Sequence, residues 1–556
     1  MATMTNFLFG QHLKESKNKL ENLQKELNKC VEKFNDFLNN IDAENYSDFD
    51  DFNDRAKAFN EELNKIMSDK KHFIVSFTNI VDNEKEVDID RLNNLTDYHD
   101  YNSKGIYKSA NGEYAEAIKY YDEAIKLNPN MADAYYNKAI AKTKLVLLKE
   151  AIEEYDKAIE LRADYTYAYY NRGLLKSDLG LLEEAIKDFD KALSIDPNLF
   201  DAYNNKGLLE DELGFSKEAI KDFNKAIKLN PNYSDAYYNR GNSKKELGLF
   251  KEAIKDYDNA IKWEPNNINT YLNRGNAKYD LELYEEAIKD YDKIIKLDTN
   301  YVDAYYNRAN AKRELGLYKE SMKDYDKAIY LNPNYSDAYN NRGLAKSDLG
   351  MYEEAIKDYE ESIDLCADNP EAYYNIGSAK YDLDLLKESI KYYDKAIELR
   401  PTYSEAYNNR GLSKNDLGLY KEALKDYDKS IELNPNDSNT YNNRGLTKYS
   451  LGLYKEAIKD YTKAIELTPD YTNAYGNRGS AKDELGQYKE AIKDYDKAIE
   501  LEPNTAYLHN DRGWVKKNAG LYKEALKDYK KALELDSDNE YAKSNIANLK
   551  KEHGLK

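Results

Sequence analysis

A 34-residue period runs through most of this chain and constrains its fold more than any other feature. With Ser234 to Asn267 set as positions 1 to 34, stepping by 34 in both directions gives thirteen units from Tyr98 to Asn539, with no insertion between them. The glycines show how strict the register is. Of 24 glycines, 22 stand at position 8 or 15, and only Gly10 and Gly476 fall elsewhere. Nine of the ten prolines stand at position 32, from Pro129 to Pro503. A unit this short cannot bury its own apolar face, so neighbouring units must stack to share one core.

Each unit reads as two helices. Ser234, Ser336, Ser404, Thr166 and Thr472 at position 1 are expected N-caps, whose hydroxyls accept the orphan N–H groups of a first turn. Leu-Gly at positions 14 and 15 ends the first helix, because glycine suits the left-handed C′ conformation. The second helix, typified by Lys-Glu-Ala-Ile-Lys-Asp-Tyr-Asp-Lys-Ala-Ile, stops at Asn-Pro, since proline cannot continue the ladder. Small residues at 8, 20 and 27 (Gly241, Ala253, Ala260) allow close helix approach, and aromatic residues at 4 and 24 (Tyr237, Tyr257) fill the space between units.

This pattern resembles the tetratricopeptide repeat family, whose signature has a large residue at 4, Gly or Ala at 8, Ala at 20, an aromatic at 24, Ala at 27 and Pro at 32. The resemblance covers about four-fifths of the chain. It implies an all-α fold: a right-handed superhelical solenoid of thirteen 34-residue helix-turn-helix repeats, with the first helices lining the concave face. Residues 540–556 keep the phase as a first helix without its second, a polar capping helix carrying Lys543, Lys550 and Lys551. The N-terminal region, residues 1–97, reads as helical but not repetitive. Leu13, Leu20, Leu27, Phe34 and Ile41 recur every seven residues, with Phe9, Leu23, Cys30 and Phe37 between them, a heptad seam over 9–41. That seam is suited to a homodimer, to capping the solenoid or to a second partner.

Thirteen units act as an alignment inside one chain. Position 7 is basic and position 23 acidic in eleven of them, as in Arg172/Asp188, Arg410/Asp426 and Lys138/Glu154. The misfits change together: Ile376 faces Tyr392, and the first unit pairs Lys104 with Tyr120. An ion pair inside each repeat is therefore expected, rather than a row of ligand-binding arginines. Position 6 differs. Asn137, Asn171, Asn205, Asn239, Asn273, Asn307, Asn341, Asn375, Asn409, Asn443 and Asn477 form an unbroken run, resumed by Asn545 after Asp511. An amide carries donors and an acceptor, so such a column can pair with successive peptide groups of an extended chain. The resemblance supports this through the asparagine ladder of the repeat domain of O-linked N-acetylglucosamine transferase. The competing reading is that these amides bridge adjacent helices.

Position 2 is acidic in seven units and position 13 in nine, partly offset by lysine at position 11 in twelve. The groove is thus expected to favour a basic or unstructured peptide. The carboxylate clamp that grips heat-shock chaperone tails needs lysines at 2 and 5 and arginine at 6, and its pattern is missing. Val146, Glu282 and Asp384 replace the position-15 glycine, where a β-branched side chain is strained. Ile294 replaces the small residue at 27, and Ala163 and Thr299 replace proline. These departures would bend the array locally or reflect drift.

A net charge of -20 argues against nucleic acid, whose phosphates call for clustered Lys and Arg. The five histidines are scattered and neither Cys30 nor Cys366 lies near one, so no metal or cofactor is expected. Mean hydropathy is -0.91, with no apolar run long enough to span a membrane. A start without a basic leader and only two cysteines fit a cytoplasmic protein. No phosphate loop, nucleophile elbow or His/Cys pair points to catalysis. The sequence reads as a scaffold or adaptor that holds an extended peptide or partner protein. A non-catalytic regulatory subunit and a self-assembling structural solenoid are the alternatives.

Overall fold

A computed structural model describes residues Asp97 to His553. The expected seam over 9–41, the dimer built on it and the last residues of the capping segment lie outside the described residues. The described residues form 27 α-helices and no strands. They fall into two units, one ending at Leu247 and the other beginning at Gly248. In each unit, first helices of 12 or 13 residues (Thr166–Asp178, Ser404–Asp416) alternate with second helices of 14 (Leu182–Ile195, Tyr420–Leu433). The helix Glu540–His553 follows the last pair alone.

The core is a stack of rings and small residues. In the first unit Tyr121, Tyr155, Phe189 and Phe223 at position 24 are buried, and in the second Tyr291, Tyr325, Tyr359, Tyr427 and Tyr461 are. Most of these rings occupy space that glycine leaves open at position 8; Tyr155 and Tyr325 pack on Ala139 and Ala309 there. A Cβ on Gly343 would sit 2.6 Å from the Tyr359 ring, and one on Gly411 2.8 Å from Tyr427. Glycine inside a helix costs roughly 1 kcal/mol against alanine, less than burial of an aromatic ring contributes. Ile294, the large residue at position 27, causes no break. It is fully buried against Tyr271, Tyr291, Ala304 and Ala311.

The turn after the first helix follows the glycine pattern. In Thr166–Asp178, Leu181 N–H donates to the Lys176 carbonyl at 2.8 Å and Gly180 N–H to that of Ser177 at 2.9 Å, the paired bonds of a Schellman end. Gly180 has φ +74°, and Val146, Glu282 and Asp384 adopt the same left-handed backbone at 59–61°. The repeat therefore imposes this conformation even on a β-branched side chain.

Two local expectations need correcting. The position-1 hydroxyls are not the N-caps. Helices start at position 1 and are capped by position 34, where Tyr165, Tyr233, Tyr335, Tyr403 and Tyr471 give no side-chain bond. The side-chain caps occur where position 34 is Asn or Asp. Asn267 accepts from the Thr270 N–H at 3.1 Å and Asn369 from that of Ala372 at 3.1 Å. Ser336 instead donates sideways to the Ser362 carbonyl at 3.0 Å. Nor is proline the required stop for the second helix. Arg162 and Asp298 leave the helix in the same extended conformation as Asn128, although Ala163 and Thr299 follow them.

Candidate functional site

The basic residue at position 7 braces its own hairpin, as its covariation with position 23 predicts. Arg172 donates Nε to Asp188 Oδ2 at 2.8 Å and Nη2 to Oδ1; Arg410 does the same to Asp426 at 2.9 and 2.5 Å. Asp188 and Asp426 are 4% and 5% exposed, so these are buried pairs rather than surface ones. Two further partners were not anticipated. Nη1 reaches back to position 25 of the preceding repeat, at 2.6 Å for Arg410 to Asp394 and for Arg308 to Asp292. Position 11 also closes on the same carboxylate, with Lys414 2.7 Å from Asp426 and Lys312 2.7 Å from Asp324. These lysines neutralise the brace, not the acidic residues of positions 2 and 13. Burial works to lower the Arg172 and Arg410 pKa values, but their carboxylate partners outweigh it and hold both above the ordinary value. In the fourth repeat the brace is inverted at one point. Glu210 stands where lysine is usual, 3.5 Å from Lys206, with a buried Oε2 that has no hydrogen-bond partner.

The asparagine column forms half-buried, ordered stretches on the first helices of each unit. In the first unit, Asn137 donates to Asn102 at 3.2 Å, Asn171 to Tyr136 at 3.1 Å, Asn205 to Tyr170 at 2.9 Å and Asn239 to Asn204 at 3.0 Å. In the second, Asn341 donates to Tyr306 at 2.9 Å, Asn375 to Asn340 at 3.0 Å, Asn409 to Tyr374 at 2.8 Å, Asn443 to Asn408 at 3.2 Å and Asn477 to Asn442 at 2.9 Å. Asn307 reaches Asn276 instead, at 3.2 Å. The usual acceptor is position 5 of the preceding repeat, 35 residues back. One N–H of each of these amides thus joins neighbouring repeats. An amide has two N–H groups and a carbonyl, so the bridge leaves these side chains oriented with a further N–H to offer, except Asn341, which also donates to Asn310 at 3.0 Å.

Some expected groove acids are engaged internally. Asp133 accepts from Tyr165 and from Arg162, both at 3.0 Å, and Arg400 pairs with Glu371. Tyrosine at position 34 thus meets position 2 of its own repeat, as Tyr471 also does with Asn439 at 2.8 Å. Between the ninth and tenth repeats a cleft of about 240 Å³ opens beside the ladder, lined by Ser378, Tyr381, Asp382, Tyr393, Asn409 and Leu412. Tyr381 donates to Asp416 at 2.6 Å on its rim. Among the described residues no group of His, Cys, Asp and Glu could hold a metal ion, and no helix is long and apolar enough to cross a membrane.

Comparison with known proteins agrees with the repeat geometry. Tetratricopeptide repeat models match residues 166–199, 302–335, 370–403, 404–437, 438–471 and 472–505, with further matches at 103–166, 324–357 and 506–539. TPR repeat models match 212–248, 241–282, 275–316 and 345–384. No relative is found among curated proteins. Among solved structures, MamA protein is 32% identical over 31% of this chain and 94% of its own, with TM-score 0.29. YrrB, described as a TPR protein with an unusual peptide-binding site, is 26% identical over 33% of this chain and 95% of its own, with TM-score 0.29. The APC/C hetero-tetramer Cut9-Hcn1 is 16% identical over 82% of this chain and 91% of its own, with TM-score 0.39. With the family models laid end to end along its helix pairs, this chain belongs to the tetratricopeptide repeat family.

Proposed function

We propose that the chain is a protein-binding scaffold that holds an extended, unstructured or basic peptide across the first helices, through the asparagine columns. Tetratricopeptide arrays generally serve as non-catalytic scaffolds, and that is the role assigned here. The observation that carries the reading is the amide bridge. The ten asparagines named above are each fixed by a bond to the neighbouring repeat, so little rotamer freedom remains to be lost when the amide's remaining donor or acceptor capacity meets a ligand. A regular column of such groups reads backbone rather than side chains, which makes binding tolerant of sequence. Acidic residues at positions 2 and 13 then favour a cationic ligand.

Bridging and ligand binding can be separated. A protein captured by the scaffold from its native cell is titrated against three forms of the chain. Replacing Asn307, Asn341, Asn375 and Asn409 with Ala should weaken binding at least tenfold. Tyr306→Phe with Tyr374→Phe removes two bridge acceptors but leaves every asparagine, and should reduce binding less than threefold. If the alanine form binds as tightly as the parent, the columns only join repeats and the reading fails.

A further inference from the structure

Position 9 of the first helix is Ile, Leu, Asn or Trp in eleven repeats; Ser378 and Ser480, three repeats apart, are the exceptions. In both, the short side chain lies against the ring hydroxyl of position 24. Ser378 Oγ is 3.1 Å from Tyr393 OH, and Ser480 Oγ is 2.7 Å from Tyr495 OH. At Ser378 the 240 Å³ cleft is the result. Pockets for whole small molecules run larger, from roughly 300 Å³, so this one suits a single side chain. Its walls are Leu412 and the Tyr381 and Tyr393 rings. Asp382 lines it, and among the described residues has no hydrogen-bond or ion-pair partner.

The second serine marks a break in the ladder. Asp511 occupies position 6, where the column otherwise has asparagine, and the position-5 residue 35 places earlier is Gly476. Acceptor and donor of one bridge have thus been lost together. Leu508, fully buried, comes close to the vacated space: a Cβ on Gly476 would lie 3.6 Å from its side chain. The Asp511 carboxylate receives one side-chain bond, from Asn510 at 3.0 Å to Oδ1. Tyr507, Asp511, Trp514 and Asn518 follow one another at helical spacing along Ala506–Asn518, so they share a face. Tyr507 and Trp514 are 48% and 46% exposed. Asn518 bonds Asp483 at 2.9 Å, which brings a second carboxylate to that face. Lys517 lies 5.3 Å from the Trp514 ring. Among the described residues no lysine or arginine pairs with Asp382, Asp483 or Asp511, whereas the carboxylates of the brace are paired. Burial pushes all three carboxyls above the ordinary range.

We propose that each serine-marked repeat, together with the repeat that follows it, forms a socket for a lysine or arginine side chain of the bound peptide, one centred on Asp382 and the other on Asp511. In the first, the aliphatic stem lies on Leu412 and the tyrosine rings while the cation meets Asp382 beside Asn409. In the second, Trp514 and Tyr507 take the stem and part of the charge through their ring faces, and Asp511 with Asp483 takes the rest. The inference rests on the ladder reading and adds side-chain selectivity at two fixed places to a column that is otherwise indifferent to sequence.

The test uses the full chain and labelled 20-residue Ser/Gly/Asn peptides carrying two lysines at graded separations, with matched norleucine and glutamate versions. At the best separation the lysine peptide should bind at least tenfold tighter than the norleucine one and lose that advantage in high salt. Asp382→Asn and Asp511→Asn should each remove most of the lysine advantage while leaving norleucine binding unchanged. Asp511→Asn restores the usual residue of the column, so folding is not at risk. Equal binding of lysine and norleucine peptides, or indifference to both substitutions, overturns the sockets and leaves the ladder standing. If none of the three peptides binds, the ladder reading and the sockets fall together.

Discussion

Repeats nine and ten, residues 370–403 and 404–437, are neighbours that close their hairpins in opposite ways. Repeat ten uses charge: Arg410 forks onto Asp426, Lys414 joins at 2.7 Å, and Arg410 reaches Asp394 at 2.6 Å. Repeat nine uses packing. Ile376 is fully buried in a cluster with Ala355, Tyr359 and Ala379, against which Tyr392 packs. Ion pairs remain at its edges, Lys380 with Glu388 at 2.7 Å and Arg400 with Glu371. The same helix pair forms in both. What positions 7 and 23 must supply is complementarity, and its chemistry is free to vary so long as both members change together. This fits the general finding that a buried ion pair replaced whole by apolar residues is often neutral, while removing one partner is costly.

The largest expected effect comes from breaking that complementarity. Arg410→Ala leaves Asp426 buried with only Lys414, and should cost about 3 kcal/mol. Hydrogen exchange should show the loss in Tyr420–Leu433 before it appears in distant helices. Arg410→Ile with Asp426→Tyr transplants the ninth repeat's solution and should recover most of that protection. A double variant as weak as the single one would mean the two solutions are not interchangeable. A smaller gain is expected at the repeat whose brace carries the wrong sign. Glu210→Lys restores the usual cation and should stabilise helices Phe200–Glu212 and Ser216–Leu229 by about 1–2 kcal/mol. Burial first, and Asp222 next, hold the Glu210 carboxyl above its ordinary value of 4.5. The folded repeat therefore binds this proton more readily than the unfolded chain. Its contribution is fully present below 4.5 and is lost as pH rises through the folded value. Acidification from neutral pH should increase exchange protection there, and the Glu210→Lys form should lose this dependence. The smallest effect belongs to the left-handed turn. Val146→Gly should raise thermal stability by about 1 kcal/mol, because valine at φ 61° is strained.

The sequence made the helix pairs and the brace legible because repetition turns one chain into its own alignment. Ile376 with Tyr392 identified the facing positions without coordinates. The register of stacking was not legible. Asp394 and Asp292 are plainly acidic in sequence, but which repeat's arginine they meet depends on how one hairpin sits on the next. The same holds for the asparagines, whose bridge partners lie 35 residues away, and for the position-34 tyrosines that bond position 2. The N-caps were missed for a local reason. A position-1 hydroxyl matches the cap preference in sequence, but that residue already has helical geometry and tyrosine precedes it. The cleft at Ser378 had a signal, a small residue in a column of large ones, that becomes readable once position 9 is known to face Tyr393.

The arginine brace also has a sheltered side and an open one. Within a hairpin the guanidinium holds a carboxylate that is 4–8% exposed by side-chain area, whereas the carboxylate it reaches in the preceding repeat, where position 25 is acidic, is 52–64% exposed. Water competes for the second bond and hardly at all for the first. Of the bonds the arginine makes, the one inside the hairpin is therefore the sheltered one, and the joint between repeats relies on the shared core and the asparagine bridges instead. Added salt should therefore weaken the guanidinium's exposed contact before its sheltered one.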